Sequence, residues 1–298
     1  MNKICILLST YNGEKYLNEQ LESLINQEGV DVNILVRDDG STDATHDILN
    51  KWQEKGLLQW YTGENKGFAF SFMDLVKHAG RYDYYAFCDQ DDIWLPNKLL
   101  VAVNKLSEID DDNKLYCSNL YYYKDGENLG LIRKNILKYN IKTSLIRNIA
   151  VGCTIVFNSN LKELVSKQNP EFIIAHDYWL YQTAMLFGKV YYDENAYIYY
   201  RQHENNQLGA QINLLDICKR RINNTFNNKI GYCSSQAKEL LKCYSTQMSP
   251  QTIEIIKTVA ECKTKLNCRL KLLLSNQYTC GSFFNDFVLK IKILLGRL

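Results

Sequence analysis

Four short apolar runs of strand length alternate with segments of helical spacing over the N-terminal third of this chain. The strand-like runs are residues 3–8, 32–36, 57–61 and 84–88. After the first run, Leu17, Leu21 and Leu24 recur at helical spacing, and Pro96 suits the first turn of a helix that follows the fourth. Strands that alternate with helices are typical of α/β proteins, so we predict a doubly wound, mainly parallel sheet flanked by helices.

Polar residues follow three of these runs directly. They are Thr10, Tyr11 and Asn12 after the first run, Asp38 and Asp39 after the second, and Asp89, Gln90, Asp91 and Asp92 after the fourth. The carboxyl ends of parallel strands meet at one edge of a sheet, where such folds bind ligands, so we expect these groups to share a crevice. The chain has neither a GxGxxG after the first strand nor a GxxxxGK[ST], which argues against dinucleotide and P-loop sites.

Three carboxylates lie within four residues in the stretch FCDQDDIW: Asp89, Asp91 and Asp92. Carboxylates this close raise one another's pKa unless a cation lies among them, so a divalent metal is the first expectation. Asp92 has a second interpretation, because an acid just before a helix can favour the helix dipole.

The second acidic cluster also has two interpretations. The stretch Asp38 to Ser41 is turn and cap chemistry found in many α/β proteins, with Ser41 as the predicted N-cap and Asp43 in the first turn of a helix. Together with the other polar strand ends, however, Asp38 and Asp39 indicate a ligand pocket.

The ten cysteines are scattered through apolar stretches without a CxxC pair. This pattern favours buried thiols in a reducing compartment and indicates neither zinc nor disulfide chemistry. No apolar run approaches the length of a membrane span, and the run at 4–8 is too short for a signal peptide. We therefore expect a cytoplasmic protein.

The net charge of +2 conceals an asymmetry. Residues 211–298 carry 14 Lys/Arg against 5 Asp/Glu, or +9, which leaves residues 1–210 at −7. The tail segments LLDICKRRINNTF, AECKTKLNCRLKLLL and FFNDFVLKIKILLGRL mix apolar and basic residues at near-helical spacing. We predict a helical basic appendage at 211–298 beside a domain at 1–210. Its helices either pack on that domain or on a second subunit, or they bind an anionic membrane surface at the inner face of the cell membrane.

Several stretches together resemble the nucleotide-sugar glycosyltransferases of family 2, which have the GT-A fold. In chain order they are LLSTYNGEKYLNEQLESL, VRDDGSTDAT, NKGFAFSF, FCDQDDIWLPNKL, AHDYWL and YYRQHENNQLG. DDGSTD or DQDD alone would be weak signals, but all six in this order and spacing are specific. The DQDDIW and HDYW variants are similar to rhamnosyltransferase-type members that build bacterial surface polysaccharides. The resemblance extends over residues 2 to 210 and not beyond.

The resemblance implies a role for particular positions. It places nucleotide binding on Thr10, Tyr11, Asn12, Asp38, Asp39, Lys66, Asp89 and Gln90. It places Mg²⁺ or Mn²⁺, bridging the donor's diphosphate, on Asp91. The family's general base is the Asp of a Glu-Asp pair at a helix start. Here that pair is His176 and Asp177, so the resemblance retains the base on Asp177 and departs from the family at the preceding Glu.

The chemistry of sugar transfer requires groups of the same kinds. A hard divalent ion held by carboxylates neutralises the charge that develops on the departing nucleoside diphosphate. On the opposite face an acceptor hydroxyl must lose its proton, which suits Asp177. A single base with in-line attack implies inversion at the anomeric carbon. Asp177 could also be only an N-terminal helix residue.

His203 follows an aromatic strand-like run that ends near Arg201. A lone His is more often structural, but beside Arg201 it could contact the diphosphate or complete the metal shell. We therefore name His203 with Asp91 as a metal candidate, and Asp92, His176 and Arg201 as secondary candidates.

Two other classes stay open at this point: a sugar-phosphate nucleotidyltransferase and a non-catalytic carbohydrate-binding protein. The first should carry a Gly-rich basic loop after strand one, where STYNGEKYL has one Gly and one Lys. The second would need neither a metal cluster nor Asp177. For the transferase, the expected donor is a UDP- or dTDP-sugar, with rhamnose suggested by resemblance alone, and the acceptor is a glycan or lipid-linked glycan. We expect no nucleic-acid partner, and a homodimer stays open.

Overall fold

The computed structural model describes residues 1–133, 139–202 and 232–298. Within them, nine strands form one sheet. The strands are β1 (Lys3–Thr10), β2 (Asp31–Asp38), β3 (Gln59–Thr62), β4 (Tyr84–Cys88), β5 (Ile93–Trp94), β6 (Lys114–Lys124), β7 (Glu127–Leu131), β8 (Val156–Asn158) and β9 (Lys189–Arg201). Their order is β3-β2-β1-β4-β8-β6-β9-β5, with β7 paired to β6.

The helices of the same residues are numbered along the chain. They are α1 (Leu17–Ile25), α2 (Thr45–Glu54), α3 (Phe68–His78), α4 (Lys98–Ser107), α5 (Ile141–Ser144), α6 (Ser159–Ser166), α7 (His176–Phe187), α8 (Tyr232–Tyr244), α9 (Pro250–Ala260), α10 (Leu266–Leu274) and α11 (Phe283–Leu294). Short 3₁₀ turns cover Gly152–Thr154 and Ser245–Gln247.

The first four strands are parallel, as the alternation of strands and helices predicts. In β1, Ile4, Ile6 and Leu8 are fully buried and pack with apolar side chains of α1, α2 and α4. Each such side chain contributes about 1.5–3 kcal/mol to folding when removed from water. The predicted mainly parallel α/β sheet flanked by helices is confirmed, with antiparallel additions at β5, β7 and β8.

The register brings the polar strand ends side by side. Thr10 at the end of β1 lies opposite Asp38 at the end of β2, and Leu8 lies opposite Cys88 at the end of β4. The loops that follow these strands therefore leave the same edge of the sheet. The short strand β5 pairs with β9 and fastens the far end of the DQDDIW stretch.

Ser41 is not the N-cap of α2, contrary to the prediction. The helix begins at Thr45, and the Asp43 carboxylate accepts a hydrogen bond from the Thr45 N–H at 3.0 Å. The Ser41 hydroxyl instead donates to Asp38 and accepts from the Asn12 N–H at 2.8 Å. The contact of Ser41 with the loop after β1 thus replaces a local cap, and the helix starts three residues later than predicted.

The chain divides into two compact units. The described residues of the first are 1–133, 150–167 and 175–202, and they contain the sheet. Those of the second are 139–149, 168–174 and 232–298. The predicted boundary at residue 210 lies outside the described residues.

The second unit is helical, as predicted for the tail. Arg147 donates to the Cys280 carbonyl at 2.6 Å, and the Gln236 side chain accepts from the Ile174 N–H at 2.6 Å, so the two short segments join the C-terminal helices. Helix α9 starts with Ser249 as N-cap and Pro250 in its first turn. None of the helices in the described parts of the chain has the length and apolar character needed to cross a bilayer.

Candidate active site

The loops after β1 and β2 are joined by backbone-to-side-chain hydrogen bonds. The Asn12 N–H donates to Ser41, the Gly13 N–H donates to the Thr45 hydroxyl, and the Thr42 N–H donates to the Asn12 side chain, each at 2.8 Å. Asn12 has a positive φ of 49°, a conformation that Asn tolerates better than most residues. The two loops thus form one wall at this edge of the sheet.

Gln90 ties this wall to the acidic loop after β4. Its side-chain oxygen accepts from the Thr10 hydroxyl at 2.6 Å and from the Tyr11 N–H at 2.9 Å. Gly13 permits the approach, because a Cβ there would lie 2.7 Å from the same oxygen. The structure therefore gives Gln90 a positioning contact, while the Tyr11 ring stays half exposed at the rim.

Asp38 is fully buried and uses both carboxylate oxygens inside its own loop. One oxygen accepts from the backbone N–H groups of Gly40 and Ser41 and lies 2.8 Å from His46 Nε2, and the other accepts from the Ser41 hydroxyl. Burial raises the pKa of Asp38, but these hydrogen bonds outweigh it, and the net pKa lies below its usual range. Asp38 is therefore a charged group that shapes the loop.

Asp39 is buried and paired with the Arg37 guanidinium. Arg37 also donates to Asp74 at 3.0 Å and to the Ser71 hydroxyl at 3.1 Å. A buried arginine with two carboxylate partners fixes the end of β2 firmly. Lys66 lies exposed in the loop before α3.

The acidic loop after β4 keeps two of its carboxylates close together. Asp89 and Asp92 bring one oxygen each, with the Cys153 sulfur, within 4.8 Å of one another. Burial, then Asp91 and Asp177, raise the pKa of Asp89 to about 7. Burial and the charges of Asp91 and Asp89 raise the pKa of Asp92 well above its usual range.

This donor set fits a divalent cation. Asp92 accepts from the Arg201 N–H at 3.2 Å with one oxygen, while its buried Oδ2 has no hydrogen-bond partner among the described residues. A second carboxylate adjoins it, and Mg²⁺ and Mn²⁺ bind carboxylate oxygens, whereas burial raises the pKa of the nearby Cys153 thiol, and a neutral thiol is not a ligand of such cations. Asp91 lies between them in sequence, whereas His203 lies outside the described residues.

Arg201, at the end of β9, holds the acidic loop from the other side. Its Nε donates to the Asp91 carbonyl at 3.0 Å, and its Nη2 donates to the Glu19 carboxylate on α1 at 2.5 Å. The guanidinium also lies 4.8 Å from the Tyr16 ring centroid. Through these contacts Arg201 holds the acidic loop against α1.

Lys98 is a buried lysine that the sequence patterns did not indicate. Its Nζ lies 3.3 Å from the centroid of the Trp94 ring and has no hydrogen-bond partner among the described residues. Burial lowers its pKa to about 7, although Cys88, Cys153 and Asp92 oppose the shift. The spacing of four residues between Trp94 and Lys98 is the only sequence signal for this contact, and it is weak.

His176 and Asp177 open helix α7, as the sequence predicts. The His176 ring is stacked on Phe72 at 3.8 Å between centroids and meets the Phe87 ring edge-on at 4.7 Å. Burial lowers the pKa of His176 to about 3, so the ring is neutral. Asp177 is close enough to Asp89 for its charge to raise the pKa of that carboxyl. The three predicted acidic segments thus converge on one edge of the sheet.

Gly152 permits the close packing at the start of α7. A Cβ at this position would lie 2.9 Å from His176 Nε2. No sequence pattern singles out Gly152 or Cys153 for the site, because their neighbours there lie far away along the chain.

Comparison with known proteins identifies relatives of this arrangement. The Glycosyl transferase family 2 model matches residues 5–187. The dTDP-rhamnosyl transferase RfbG of Shigella flexneri is 34% identical over 231 residues, which are 72% of this chain and 77% of that protein. The UDP-Glc:alpha-D-GlcNAc-diphosphoundecaprenol beta-1,3-glucosyltransferase WfgD of Escherichia coli is 26% identical over 186 residues, covering 61% and 69% of the two chains.

Solved structures share the fold. The mannosyltransferase PcManGT of Pyrobaculum calidifontis, in complex with GDP-Man and Mn²⁺, has a TM-score of 0.56 at 15% identity, covering 99% of this chain and 86% of its own. S. aureus TarS 1-349 in complex with UDP-GlcNAc has a TM-score of 0.53 at 17% identity, covering 99% and 89%. At these identities the likeness concerns the GT-A architecture.

Proposed function

The chain belongs to glycosyltransferase family 2, and we propose that it is a metal-dependent, inverting enzyme that transfers a sugar from a nucleoside diphosphate. The proposed donor is dTDP-rhamnose, and the proposed acceptor is a lipid-diphosphate-linked glycan of a bacterial surface polysaccharide. Such an acceptor would place the enzyme at the inner face of the cell membrane.

The observation that carries this proposal is the position of Asp177 beside Asp89. One carboxylate opens a helix and the other follows a strand, yet the fold places them at one crevice. A transferase needs a base on the acceptor side and an acidic cluster on the diphosphate side, separated only by the reacting sugar. A nucleotidyltransferase or a carbohydrate-binding protein gives no reason for this pairing.

The nucleoside would lie against the wall formed by the loops after β1 and β2. The exposed Tyr11 ring offers an aromatic face to a base. Asp38 and Asp39 line the same wall, and their bonds to Ser41 and Arg37 hold it in shape before the donor arrives.

The diphosphate would lie at the acidic loop. Asp89, Asp91 and Asp92 would hold Mg²⁺ or Mn²⁺, which supplies charge neutralisation for the departing diphosphate. Gln90 and Arg201 keep the loop in place from its two sides. Asp177 would take the proton from the acceptor hydroxyl as that oxygen attacks the anomeric carbon, which gives inversion.

The donor is proposed from the relatives. RfbG, a dTDP-rhamnosyl transferase, is 34% identical to this chain over 72% of its length. The acceptor class is proposed from WfgD, whose acceptor is a diphosphoundecaprenol-linked GlcNAc.

The test is an assay of product release with dTDP-rhamnose, UDP-glucose or UDP-GlcNAc, Mn²⁺, and a short lipid-diphosphate-linked saccharide. We expect acceptor-dependent release of dTDP, faster than release of UDP from either UDP-sugar, and loss of release with EDTA. NMR of the product should show the inverted anomer.

Three results would contradict parts of the proposal. Release of pyrophosphate from a sugar phosphate and a nucleoside triphosphate would identify a nucleotidyltransferase. Binding of a glycan without any release of nucleotide would identify a binding protein. Faster turnover of a UDP-sugar would support a sugar transferase but rule out dTDP-rhamnose as its preferred donor.

A further inference from the structure

The second unit exposes an unusual share of the apolar side chains of this protein. Eight of the fifteen large hydrophobic residues exposed in the described parts of the chain lie in its last two helices and just beyond them. They are Leu266, Leu270, Leu274, Phe283, Phe284, Phe287, Leu294 and Leu295. Isolated exposed leucines are ordinary, but a cluster of this size on two neighbouring helices marks an interaction surface.

Helix α10 carries its exposed apolar residues on one face. Leu266, Leu270 and Leu274 are spaced by four residues, which places them above one another on the helix. Cys268 and Leu272 are buried and therefore occupy the opposite face. Leu274 is 82% exposed, so the outward face ends in an almost free side chain.

Helix α11 has the same design. Leu289 and Ile293 are buried, while Phe283, Phe287 and Leu294 share the outward face at spacings of four and seven residues. Phe283 is 91% exposed. Each helix therefore uses one apolar stripe for packing and presents a second stripe outward. We call the two outward stripes, with the basic residues beside them, the α10–α11 face.

The charge of this region decides what kind of surface it fits. Residues 262–298 contain seven Lys or Arg and one acid, Asp286, and two of these basic residues, Lys265 and Lys271, pair with Glu261 and Glu254 at 2.8 and 2.9 Å. Asp286 is bound internally by the Thr279 hydroxyl at 2.6 Å and by the Cys280 N–H. Lys290 is exposed three residues after Phe287 and four before Leu294, and so adjoins the apolar stripe itself.

We propose that the α10–α11 face docks on an anionic lipid bilayer, with the phenylalanine and leucine side chains entering the headgroup boundary and the lysines meeting lipid phosphates. Exposed phenylalanine and leucine interleaved with lysine are the residues that interfacial helices use for this purpose. The proposal rests on residues of the second unit and on no sugar substrate, so it can fail or succeed independently of the proposed activity.

A second copy of the chain fits the same face less well. In a twofold symmetric dimer a surface meets itself, so the basic residues would approach like charges. Lysine is also depleted at the cores of protein interfaces. An anionic membrane supplies the opposite charge and an apolar layer at once.

The test is flotation of the full-length protein with vesicles of phosphatidylcholine alone or mixed with phosphatidylglycerol. We expect binding to the mixed vesicles at low salt and weak binding to phosphatidylcholine. Raising the salt should reduce binding, because the screening length falls from about 30 Å at 0.01 M to about 8 Å at 0.15 M.

Two variants separate the apolar and charged contributions. Phe283→Ser with Phe287→Ser should lower partition to the mixed vesicles by about tenfold or more. Lys290→Glu should lower it by about fivefold or more, and only at low salt. All these side chains are exposed, so the melting temperature should stay at the wild-type value.

Matched controls lie in the other unit. Leu129→Ser removes an apolar residue that is 54% exposed, against 57% for Phe287, and Lys51→Glu reverses an exposed charge on α2. Neither control should change vesicle binding.

Wild-type partition of the double phenylalanine variant, or no binding of the wild type at low salt, would overturn the proposal. So would a dimer in lipid-free sedimentation that the double variant dissociates, because the face would then belong to a second copy.

Discussion

His176 offers a direct test of the electrostatics at the start of α7. Its side chain is 4% exposed and sits against Phe72 and Phe87, and neither ring nitrogen has a hydrogen-bond partner among the described residues. Burial alone lowers its pKa from 6.5 to about 3. A buried neutral histidine makes stability depend on pH, because below pH 6.5 the unfolded chain binds a proton at this side chain and the folded protein does not.

The sign and size of this dependence follow from the two pKa values. Because the folded pKa is depressed, the unfolded state binds the extra proton between about pH 6.5 and pH 3, so stability falls as the pH falls through that window. From pH 7 to pH 4.5, the proton uptake at this one histidine costs about 2.6 kcal/mol of unfolding free energy. The folded pKa has little influence on this figure so long as it stays below the lower pH.

The perturbation is His176→Phe, which keeps an aromatic ring in the cluster and removes the titration. We expect the stability of the variant relative to the wild type to rise by about 2.6 kcal/mol when the pH is lowered from 7 to 4.5. Urea unfolding followed by tryptophan fluorescence measures both proteins at both pH values; buried Trp179 lies on the same helix. Any cost of the larger ring enters equally at each pH and cancels in the difference.

The control is His78→Phe, because the His78 side chain is 59% exposed and contacts Asp74. Its removal should give no relative gain in stability at low pH. If the difference between His176→Phe and the wild type is the same at pH 7 and pH 4.5, the reasoning is refuted and His176 is charged or solvated in the folded protein.

Three further substitutions test the proposed roles. Asp91→Asn should abolish turnover and weaken Mn²⁺-dependent nucleotide binding in calorimetry, because an amide cannot supply the charge that holds a cation; wild-type turnover would reject Asp91 as a metal ligand. Asp177→Asn should keep nucleotide affinity within a few-fold while lowering kcat by about 10²–10⁴-fold, and full activity would make Asp177 structural. Gly152→Ala, with its Cβ 2.9 Å from His176 Nε2, should destabilise the fold by about 1–3 kcal/mol in urea unfolding, and unchanged stability would show that α7 shifts freely.

The strand framework could be predicted because its signals are local. The run 84–88 matches β4 residue for residue, and the apolar run at 3–8 is extended only to Thr10. From there, the rule that parallel strands end at one edge was enough to bring Asp38 and Asp89 into one crevice.

The partners of the site residues could not be predicted, because tertiary packing chooses them. Arg201 reaches the Asp91 carbonyl across 110 residues of sequence, and Asp92 meets Cys153 in the same way. Ser41 shows the same limit at short range: its local sequence favours a cap, but the loop after β1 supplies a competing partner, Asn12, from 29 residues away. A pattern along the chain predicts which side chains reach an edge, and it leaves open what they bind there.

The structure also gives a physical reason why His176 precedes the proposed base, where the family has Glu. Position 176 is buried among three aromatic rings, those of Phe68, Phe72 and Phe87, and it adjoins Asp177. A glutamate there would have to be desolvated, and if charged it would repel the neighbouring Asp177 carboxylate. A base must be deprotonated before it can accept the proton of an acceptor hydroxyl, and Asp177 already lies close to Asp89. The neutral imidazole of His176 fills the space without adding another negative charge beside the proposed base.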